Sequence, residues 1–199
     1  MTRKEKIINQ SLRLFSLNGF LNTSLRDILE AAQISKGGFF NYFKNKEDLF
    51  HQVLSEARKI WREKNLYGVD RIEDPIGKIV RILKNYRDRY LMDSENFPGG
   101  CLFITLSVEL DDLRPHLAKE VNEGFVRFKG MIKRFLDQAK KSGRLENGGT
   151  TGEITEMIFS GMLGASLMYG ASKSRKDLNG TMKALISYLE KISASRNRV

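Results

Sequence analysis

A lysine, two glycines, an amide and a phenol lie within one short segment near the N-terminus, from Lys36 to Tyr42. In DNA-binding helices, first-turn residues reach base edges, Lys and Tyr hold phosphates, and glycines let the backbone approach a partner. Ser35 can cap a helix here, because its hydroxyl can accept a hydrogen bond from a first-turn N–H. The outer face of that helix would carry Lys36, Gly37, Phe40 and Asn41, with Tyr42 at its border. This arrangement is typical of a recognition helix in a major groove, although short helical pairs also use such turns for packing alone.

We expect two short helices joined by a tight turn, followed by a longer third helix, to position this segment. Thr23 or Ser24 can cap the first of them. Its apolar face is formed by residues at helical spacing: Leu25, Ile28, Leu29 and Ala32. A helix of about two turns is not stable alone, so it must pack on its neighbours. Phe39 and Phe43 lie four residues apart and are expected on the core face of the next helix.

The order of residues from Ile8 to Phe50 resembles the DNA-binding signature of the TetR family of transcriptional regulators. From Thr23 onward the matching run reads Thr-Ser-Leu-x-x-Ile-x-x-Ala-Ala-x-Ile-Ser-Lys-Gly-x-Phe-Phe-x-Tyr-Phe-x-x-Lys-Glu-x-Leu. The resemblance implies a three-helix head with a helix-turn-helix. It also implies that one group of residues contacts DNA: Ser24, Arg26, Ser35, Lys36, Gly37, Phe40, Asn41, Tyr42 and Lys46. Ser24, Arg26 and Lys46 resemble phosphate contacts within this group.

Two positions depart from the family's pattern. Gly38 stands where the family usually has threonine, which removes a hydroxyl. Phe40 stands where the family usually has tyrosine, which removes a phenol that would contact phosphate. The Phe40 ring can contact a thymine methyl group instead. These differences change the operator sequence that we expect, and DNA binding itself is still expected.

Composition indicates an ordinary helical protein with a basic surface. The chain has 199 residues, of which 41% are hydrophobic and 29% charged, and only three are proline. No strand-like alternation of useful length and no internal repeat is present, which predicts an all-α fold of about nine helices. The net charge of +10 suits a polyanionic partner. Because the first 64 residues carry only +5 of it, this charge is not concentrated on the head.

Several classes of protein are disfavoured. The single cysteine rules out an internal disulfide and fits a reducing cytoplasm. The N-terminus lacks the apolar core of a signal peptide. The sequence also contains no run of about eighteen apolar residues, which a membrane-spanning helix would need. His51 and His116 are far apart in the sequence, and neither indicates a metal site. We therefore expect no enzyme activity, no cofactor, no metal and no membrane partner.

Helical periodicity continues through the rest of the chain. The resemblance assigns residues 1–46 to DNA binding, and it assigns residues 47–199 to effector binding and dimerisation. In this second part the spacing predicts six helices: 46–63, 74–93, 101–110, 116–142, 152–171 and 178–193. Asp74-Pro75 is a strong helix start, because a cap precedes a proline at the first helical position.

In the TetR family the last two helices pair with their copies in a second subunit, so the resemblance implies a homodimer. The residues expected at this interface are Met157, Gly161, Gly164, Ala165, Met168, Met182, Leu185, Ile186 and Leu189. Alternatively, these helices simply cover the core of the monomer. The dimer is favoured because a palindromic operator needs two heads.

The resemblance also implies an effector pocket between Trp61 and Phe135. The candidate lining residues are Trp61, Tyr86, Tyr90, Phe97, Phe103, Phe125 and Phe128, together with Cys101. Each of these aromatic residues also suits the core. Cys101 lies in a Gly-Cys-Leu…Glu-Leu segment similar to one branch of the family, some members of which respond to reactive electrophiles.

The sequence therefore predicts a cytoplasmic, DNA-binding transcriptional regulator. We expect a homodimeric repressor that a small apolar or aromatic effector releases from a palindromic double-stranded DNA operator. Two alternatives remain open. One is a regulator that senses electrophiles through Cys101, and the other is a helical small-molecule-binding protein whose head is only a scaffold.

Overall fold

The computed structural model describes residues 1–146 and 148–193, and these residues are predominantly helical. Nine α-helices are present in this part of the chain: α1 (Arg3–Asn18), α2 (Leu25–Ala32), α3 (Lys36–Phe40), α4 (Lys46–Asn65), α5 (Pro75–Asn85), α6 (Leu102–Leu110), α7 (Pro115–Lys141), α8 (Thr151–Ser172) and α9 (Arg175–Ile192). A π-helical segment, Tyr86–Tyr90, continues α5. The only β-type pairing within these ranges is an isolated bridge between Leu145 and Ser193. The predicted all-α fold is confirmed.

No helix within the described residues is both long enough and apolar enough to cross a lipid bilayer. The same ranges contain no group of three His, Cys, Asp or Glu side chains that could hold a metal ion.

Several helices begin where the sequence supplies a side-chain acceptor. Thr2 and Glu5 form a reciprocal capping box at α1, with Thr2 N–H donating to the Glu5 carboxylate at 2.7 Å. Thr150 and Glu153 form the same motif at α8. Asp74 accepts a hydrogen bond of 2.9 Å from a first-turn N–H of α5. Since the first N–H groups of a helix have no intrahelical partner, these caps fix where the helices start.

One compact unit contains Met1–Trp61 and Asp93–Asn122. Its core is made of apolar side chains that are at most 2% exposed: Ile7, Leu12, Phe15, Phe20, Ile28, Phe39, Phe43, Leu49, Phe50 and Leu106. Phe20 lies in the turn after α1 and packs edge-to-face on Phe15 and Phe50, with ring centroids 5.4 and 5.1 Å away. Phe20 therefore fills the core of the helix-turn-helix head.

The second compact unit contains Arg62–Met92 and the described residues from Glu123 onward. Its core includes apolar residues of α5, α7, α8 and α9: Ile79, Ile82, Leu83, Ile132, Leu136, Ile158, Met162, Met182 and Leu189. The buried Asn85 amide donates at 2.9 Å to the carbonyl oxygens of both Asn65 and Tyr67, which fixes the chain where α4 ends. The α8–α9 pair is close because Gly161 faces the side chain of Leu185.

Each unit combines two stretches that are separate in the sequence. The unit that contains the head also takes α6 and the first two turns of α7, whereas α4 runs unbroken from Lys46 to Asn65. The functional boundary predicted between residues 46 and 47 stays a prediction.

Apart from shifts of one to three residues at helix ends, the structure differs from the predicted helices at two places. The helix α3 ends at Phe40 and not at Phe43, because the Phe39 carbonyl accepts both the Tyr42 and Phe43 N–H groups in a turn. The helix α5 changes to π geometry after Asn85, where Leu91 N–H donates to the Tyr86 carbonyl at 3.0 Å. The apolar spacing does not reveal this change, since Tyr86 and Tyr90, four residues apart, are both buried, as they would be in an α-helix.

We expect Gly161→Ala to destabilise the protein. A Cβ at this position would lie 2.8 Å from Leu185 Cδ2, so the Leu185 side chain or α9 must move. The expected loss in the free energy of unfolding is about 1–3 kcal/mol, measured by urea denaturation.

The control is Gly124→Ala in α7. No atom lies within 4 Å of a Cβ at Gly124, so alanine there should stabilise the helix by about 0.5–1 kcal/mol. Equal effects of the two substitutions would contradict the close α8–α9 packing.

Candidate DNA-binding surface

The helix α2 begins with a capping box. The Ser24 hydroxyl accepts from the Asp27 N–H at 3.1 Å, and the Asp27 carboxylate accepts from the Ser24 N–H at 2.7 Å. A hydrogen bond from the Ser24 hydroxyl lowers the pKa of Asp27. The Arg26 side chain is 85% exposed and pairs with Glu30 at 2.7 Å. Because such surface pairs are weak, a DNA phosphate can compete for the Arg26 guanidinium.

The helix α3 is positioned by its cap. The Ser35 hydroxyl accepts from the Gly38 N–H at 3.1 Å, so Ser35 fixes the helix start. Lys36 is the first helical residue and is exposed. A Cβ at Gly37 would meet nothing within 4 Å, which leaves open space beside the backbone of the first turn. A partner can therefore approach this end of α3 closely.

The α3 segment has one face in the core and one face in solvent. Phe39 and Phe43 are 0% and 2% exposed, whereas Phe40 and Tyr42 are 47% and 42% exposed. Phe40 packs edge-to-face on Phe39, with the ring centroids 5.3 Å apart. The buried Phe39 ring thus supports the exposed Phe40 ring.

Asn41 and Tyr42 lie in the turn that follows α3. The Asn41 N–H donates to the Gly37 carbonyl at 3.2 Å and the Tyr42 N–H to the Phe39 carbonyl at 2.9 Å. Both side chains are exposed. Together with Lys36, Gly37 and Phe40 they form one surface, which we call the reading surface.

Lys46 is bonded within the head. Its ammonium group donates to the carbonyl oxygens of Phe20 and Thr23, each at 2.8 Å, and lies 4.3 Å from the centre of the Phe20 ring. Burial lowers the pKa of Lys46, and the Glu109 carboxylate opposes that shift. Two of the three N–H donors of the ammonium are therefore used by backbone. The phosphate contact expected of Lys46 stays a prediction.

Glu109, in the last turn of α6, has a place in this region that local sequence patterns do not reveal. Its carboxylate accepts hydrogen bonds from the N–H groups of Phe20 and Leu21, at 2.6 and 2.8 Å. These partners are 89 and 88 residues away in the chain. The Gly-Cys-Leu…Glu-Leu segment contains Glu109 but does not indicate these contacts.

The predicted effector residues are distributed over both units. Within the second unit, Phe125 and Phe128 of α7 pack edge-to-face on Phe159 of α8, with ring centroids 5.7 and 5.9 Å away. Tyr86 and Tyr90 stack on each other in the π segment at 5.4 Å and are 2% and 1% exposed. In the first unit, Trp61 is half-buried on α4, while Phe97 and Phe103 are 3% and 7% exposed.

Cys101 lies in the first unit, directly before α6, and is 8% exposed. An electrophile would thus reach little of its thiol in this conformation. Electrophile sensing through Cys101 stays a prediction.

A surface groove of about 580 Å³ lies on the second unit. It is lined by Lys84, Arg87, Asp88, Asn179, Lys183, Ile186, Ser187 and Glu190. Arg87 and Asp88 pair with each other at 2.6 Å, so two of its charges already have partners. None of the aromatic residues predicted to contact an effector lines this groove.

The residues predicted at a dimer interface fall into two groups. Met157, Gly164 and Met168 lie on the solvent side of α8, where the methionines are 39% and 60% exposed. Gly161 is half-buried beneath Leu185. The remaining residues are at most 8% exposed: Ala165, Met182, Leu185, Ile186 and Leu189. Met182 and Leu189 are fully buried, so they serve the core of their own unit.

Two family models match the chain. The model described as "Bacterial regulatory proteins, tetR family" matches residues 7–53, which include α2, α3 and the start of α4. The model described as "Tetracyclin repressor-like, C-terminal domain" matches residues 75–185, more than half of the chain.

Known proteins of similar length also match. The HTH-type transcriptional repressor DhaR of Mycobacterium sp. strain GP1 is 24% identical over 195 residues, which cover 96% of each chain. The HTH-type transcriptional repressor NemR of Escherichia coli K12 is 22% identical over 192 residues, covering 90% of this chain and 89% of NemR. The crystal structure of a TetR transcriptional regulator from Chloroflexus aurantiacus superposes with a TM-score of 0.88, at 22% identity and 96% coverage of both chains. This last likeness confirms the fold.

We expect Lys46→Met to lower the free energy of unfolding. The substitution removes a charged donor from the Phe20 and Thr23 carbonyl groups while keeping much of the aliphatic side chain. The expected loss is about 1–3 kcal/mol, measured by thermal and urea unfolding.

The control is Lys44→Met, because the Lys44 side chain is exposed on the same head and the change in net charge is identical. If Lys46→Met leaves stability at the level of Lys44→Met but weakens DNA binding more, Lys46 acts as a phosphate contact and not as an internal tether.

Proposed function

The chain belongs to the TetR family of bacterial regulatory proteins, and we propose that it acts as a homodimeric repressor on a palindromic operator. As a member of this family it is a DNA-binding transcriptional regulator and not an enzyme. Binding of a small apolar or aromatic effector by its C-terminal part releases the DNA. Repression is supported by the names of two relatives that match over nearly their whole length, DhaR and NemR.

The observation that carries this proposal is the reading surface on α3 and its turn. A cation, an amide and a phenol are exposed there, while Phe39 and Phe43 hold the opposite face in the core. Lys36 stands at the helix N-terminus, from which side chains of a recognition helix reach base edges and phosphates. The half-exposed Phe40 ring suits contact with a thymine methyl group.

Self-association is supported by an exposed apolar stripe on α8. Met157, Gly164, Leu167 and Met168 recur at helical spacing, and Leu167 and Met168 are 57% and 60% exposed. A Cβ at Gly164 would meet nothing within 4 Å, so a neighbouring helix can approach there. Exposed apolar surface of this kind is typical of an interaction site. A second copy on this stripe gives the repressor two heads.

An apolar or aromatic effector is supported by the aromatic side chains of the second unit. Phe125 and Phe128 are half-buried around Phe159, and Tyr86 stacks on Tyr90 where α5 takes π geometry. Short π segments occur frequently at functional sites. These rings offer apolar contact area with few charges, which suits the ligands of mostly apolar pockets.

We expect Lys36→Ala and Tyr42→Ala to weaken binding to the duplex that in vitro selection recovers. Each removes a side chain of the reading surface, at an expected cost of about 1–3 kcal/mol in operator affinity. Fluorescence anisotropy at several salt concentrations measures the effect. For a lost phosphate contact, the slope of log affinity against log salt should fall by about one.

The matched control is Lys176→Ala, which removes an exposed cation from the start of α9 and changes the net charge equally. Equal weakening by Lys36→Ala and Lys176→Ala would show that only general charge matters. If selection recovers no preferred duplex, sequence-specific operator binding is excluded.

We expect Met168→Glu to break the dimer while the monomer stays folded. The Met168 side chain is 60% exposed, so the charge costs little in the monomer but would be buried against a second copy. Sedimentation velocity should show a shift from dimer to monomer, with operator affinity falling in parallel.

Leu113→Glu provides the comparison, since Leu113 is 64% exposed but belongs to the other unit and not to α8. A protein that sediments as a monomer before any substitution, or a dimer unaffected by Met168→Glu, would contradict the α8 interface.

A further inference from the structure

The turn between α1 and α2 is held by a carboxylate from a distant helix. Glu109 Oε2 accepts from the Phe20 N–H at 2.6 Å, and Glu109 Oε1 accepts from the Leu21 N–H at 2.8 Å. Both oxygens of one side chain therefore bind two successive backbone N–H groups. Hydrogen bonds to a charged acceptor are roughly twice as strong as neutral ones.

The backbone of the turn is shaped to receive this side chain. Gly19 has a φ of +82°, a conformation that favours glycine. A Cβ at Gly19 would overlap the Glu109 carboxylate, so the absence of a side chain leaves room for it. On the carbonyl side of the same turn, Lys46 donates to Phe20 and Thr23. The N–H and the carbonyl of Phe20 are thus bound by side chains of opposite charge.

The beginning of α6 is also fixed to α1. The Gly99 N–H donates to the Ser16 hydroxyl at 3.1 Å, and this hydroxyl donates to the Gly100 carbonyl at 3.3 Å. A Cβ at Gly99 would overlap the Ser16 carbonyl oxygen, so only glycine allows this approach. Because α6 is anchored at both ends, the Glu109 carboxylate is presented to the turn from a fixed position.

We propose that Glu109 is a positioning residue for operator binding, which sets the conformation of the α1–α2 turn and thereby the placement of α2 and α3. The turn ends at Ser24, the cap of α2, so a change in the turn moves the start of the helix-turn-helix. The reading surface follows α2 directly in the chain. This inference rests on the proposed function, because it assumes that the reading surface binds an operator.

Two consequences separate positioning from simple stabilisation. A brace with no effect on DNA recognition would lower the melting temperature and leave the ratio of operator to random-duplex affinity unchanged. A positioning residue changes this ratio, because random duplex is bound mainly through charge and the operator through correctly placed side chains.

The test compares Glu109→Gln with Asp112→Asn. Both substitutions replace a carboxylate by an amide close together in the chain, and Asp112 is exposed. They raise the net charge equally, which controls for general attraction to DNA. In the full-length protein without DNA, amide hydrogen exchange is measured at Phe20 and Leu21, and operator and random-duplex affinities are measured by anisotropy.

With Glu109→Gln we expect faster exchange at both amides and a fall of roughly tenfold in the ratio of operator to random-duplex affinity. With Asp112→Asn we expect neither change. Unchanged exchange at Phe20 and Leu21 overturns the proposed contact. Faster exchange with an unchanged affinity ratio overturns the positioning role and leaves Glu109 as a brace.

Glu109→Asp keeps the test decisive if Glu109→Gln does not fold. This variant retains the charge, but its carboxylate is one methylene shorter and cannot reach both amides from the same α6 position. It should show the same two changes, and their absence in the folded Asp variant overturns the proposal. Hydrogen exchange is measured without DNA, so it tests the Glu109 contact independently of operator binding. If the unsubstituted protein does not bind an operator, the proposed function is contradicted but the Glu109 contact is not.

Discussion

Between Phe20 and Thr23 the chain has left α1 and turns toward α2, so the polar groups of its backbone lie outside both helices. The turn carries the buried Phe20 ring and the buried Thr23, which limits how much water can bind. Protein side chains supply the missing partners: Glu109 accepts two N–H groups, Lys46 donates to two carbonyls, and the Thr23 hydroxyl donates to the Gly19 carbonyl at 2.6 Å. A buried polar group left without a partner costs about 1–3 kcal/mol, so this turn has a defined shape because these side chains are present.

The reading surface depends on the same core. A helix of five residues with two glycines has no stability of its own. It is held by the Ser35 cap and by the buried rings of Phe39 and Phe43. The exposed residues of this surface are therefore held in position by the Ser35 cap and by buried rings. Since Gly38 and Phe40 depart from the family's pattern outside this core, these two differences change the available contacts without disturbing the fold.

Local features were predictable from the sequence, and distant contacts were not. Ser24 and Ser35 were recognised as possible caps, because a cap and the apolar period it precedes lie within a few residues. The contacts of Lys46 and Glu109 join residues 23 to 89 positions apart, which no local pattern records. The π segment was missed for another reason. Its buried residues Tyr86 and Tyr90 keep the spacing of four that an α-helix would also bury, so the apolar pattern does not change.

In the helix α8, apolar periodicity predicts which residues are buried but not whether a second copy buries them. Gly161 and Gly164 are one turn apart, and both would let another helix approach closely. The space beside Gly161 is filled by the Leu185 side chain of the same chain, whereas Gly164 faces open space. Apolar spacing predicts that a face is buried but does not say by which chain, which is why Met182 and Leu189 were grouped with Met168. The exposed stripe remains apolar after the protomer's own core is complete. The proposed second copy would cover this remainder, because an interface with two-fold symmetry needs one self-complementary patch, and a helix of small and flexible residues can pack against itself.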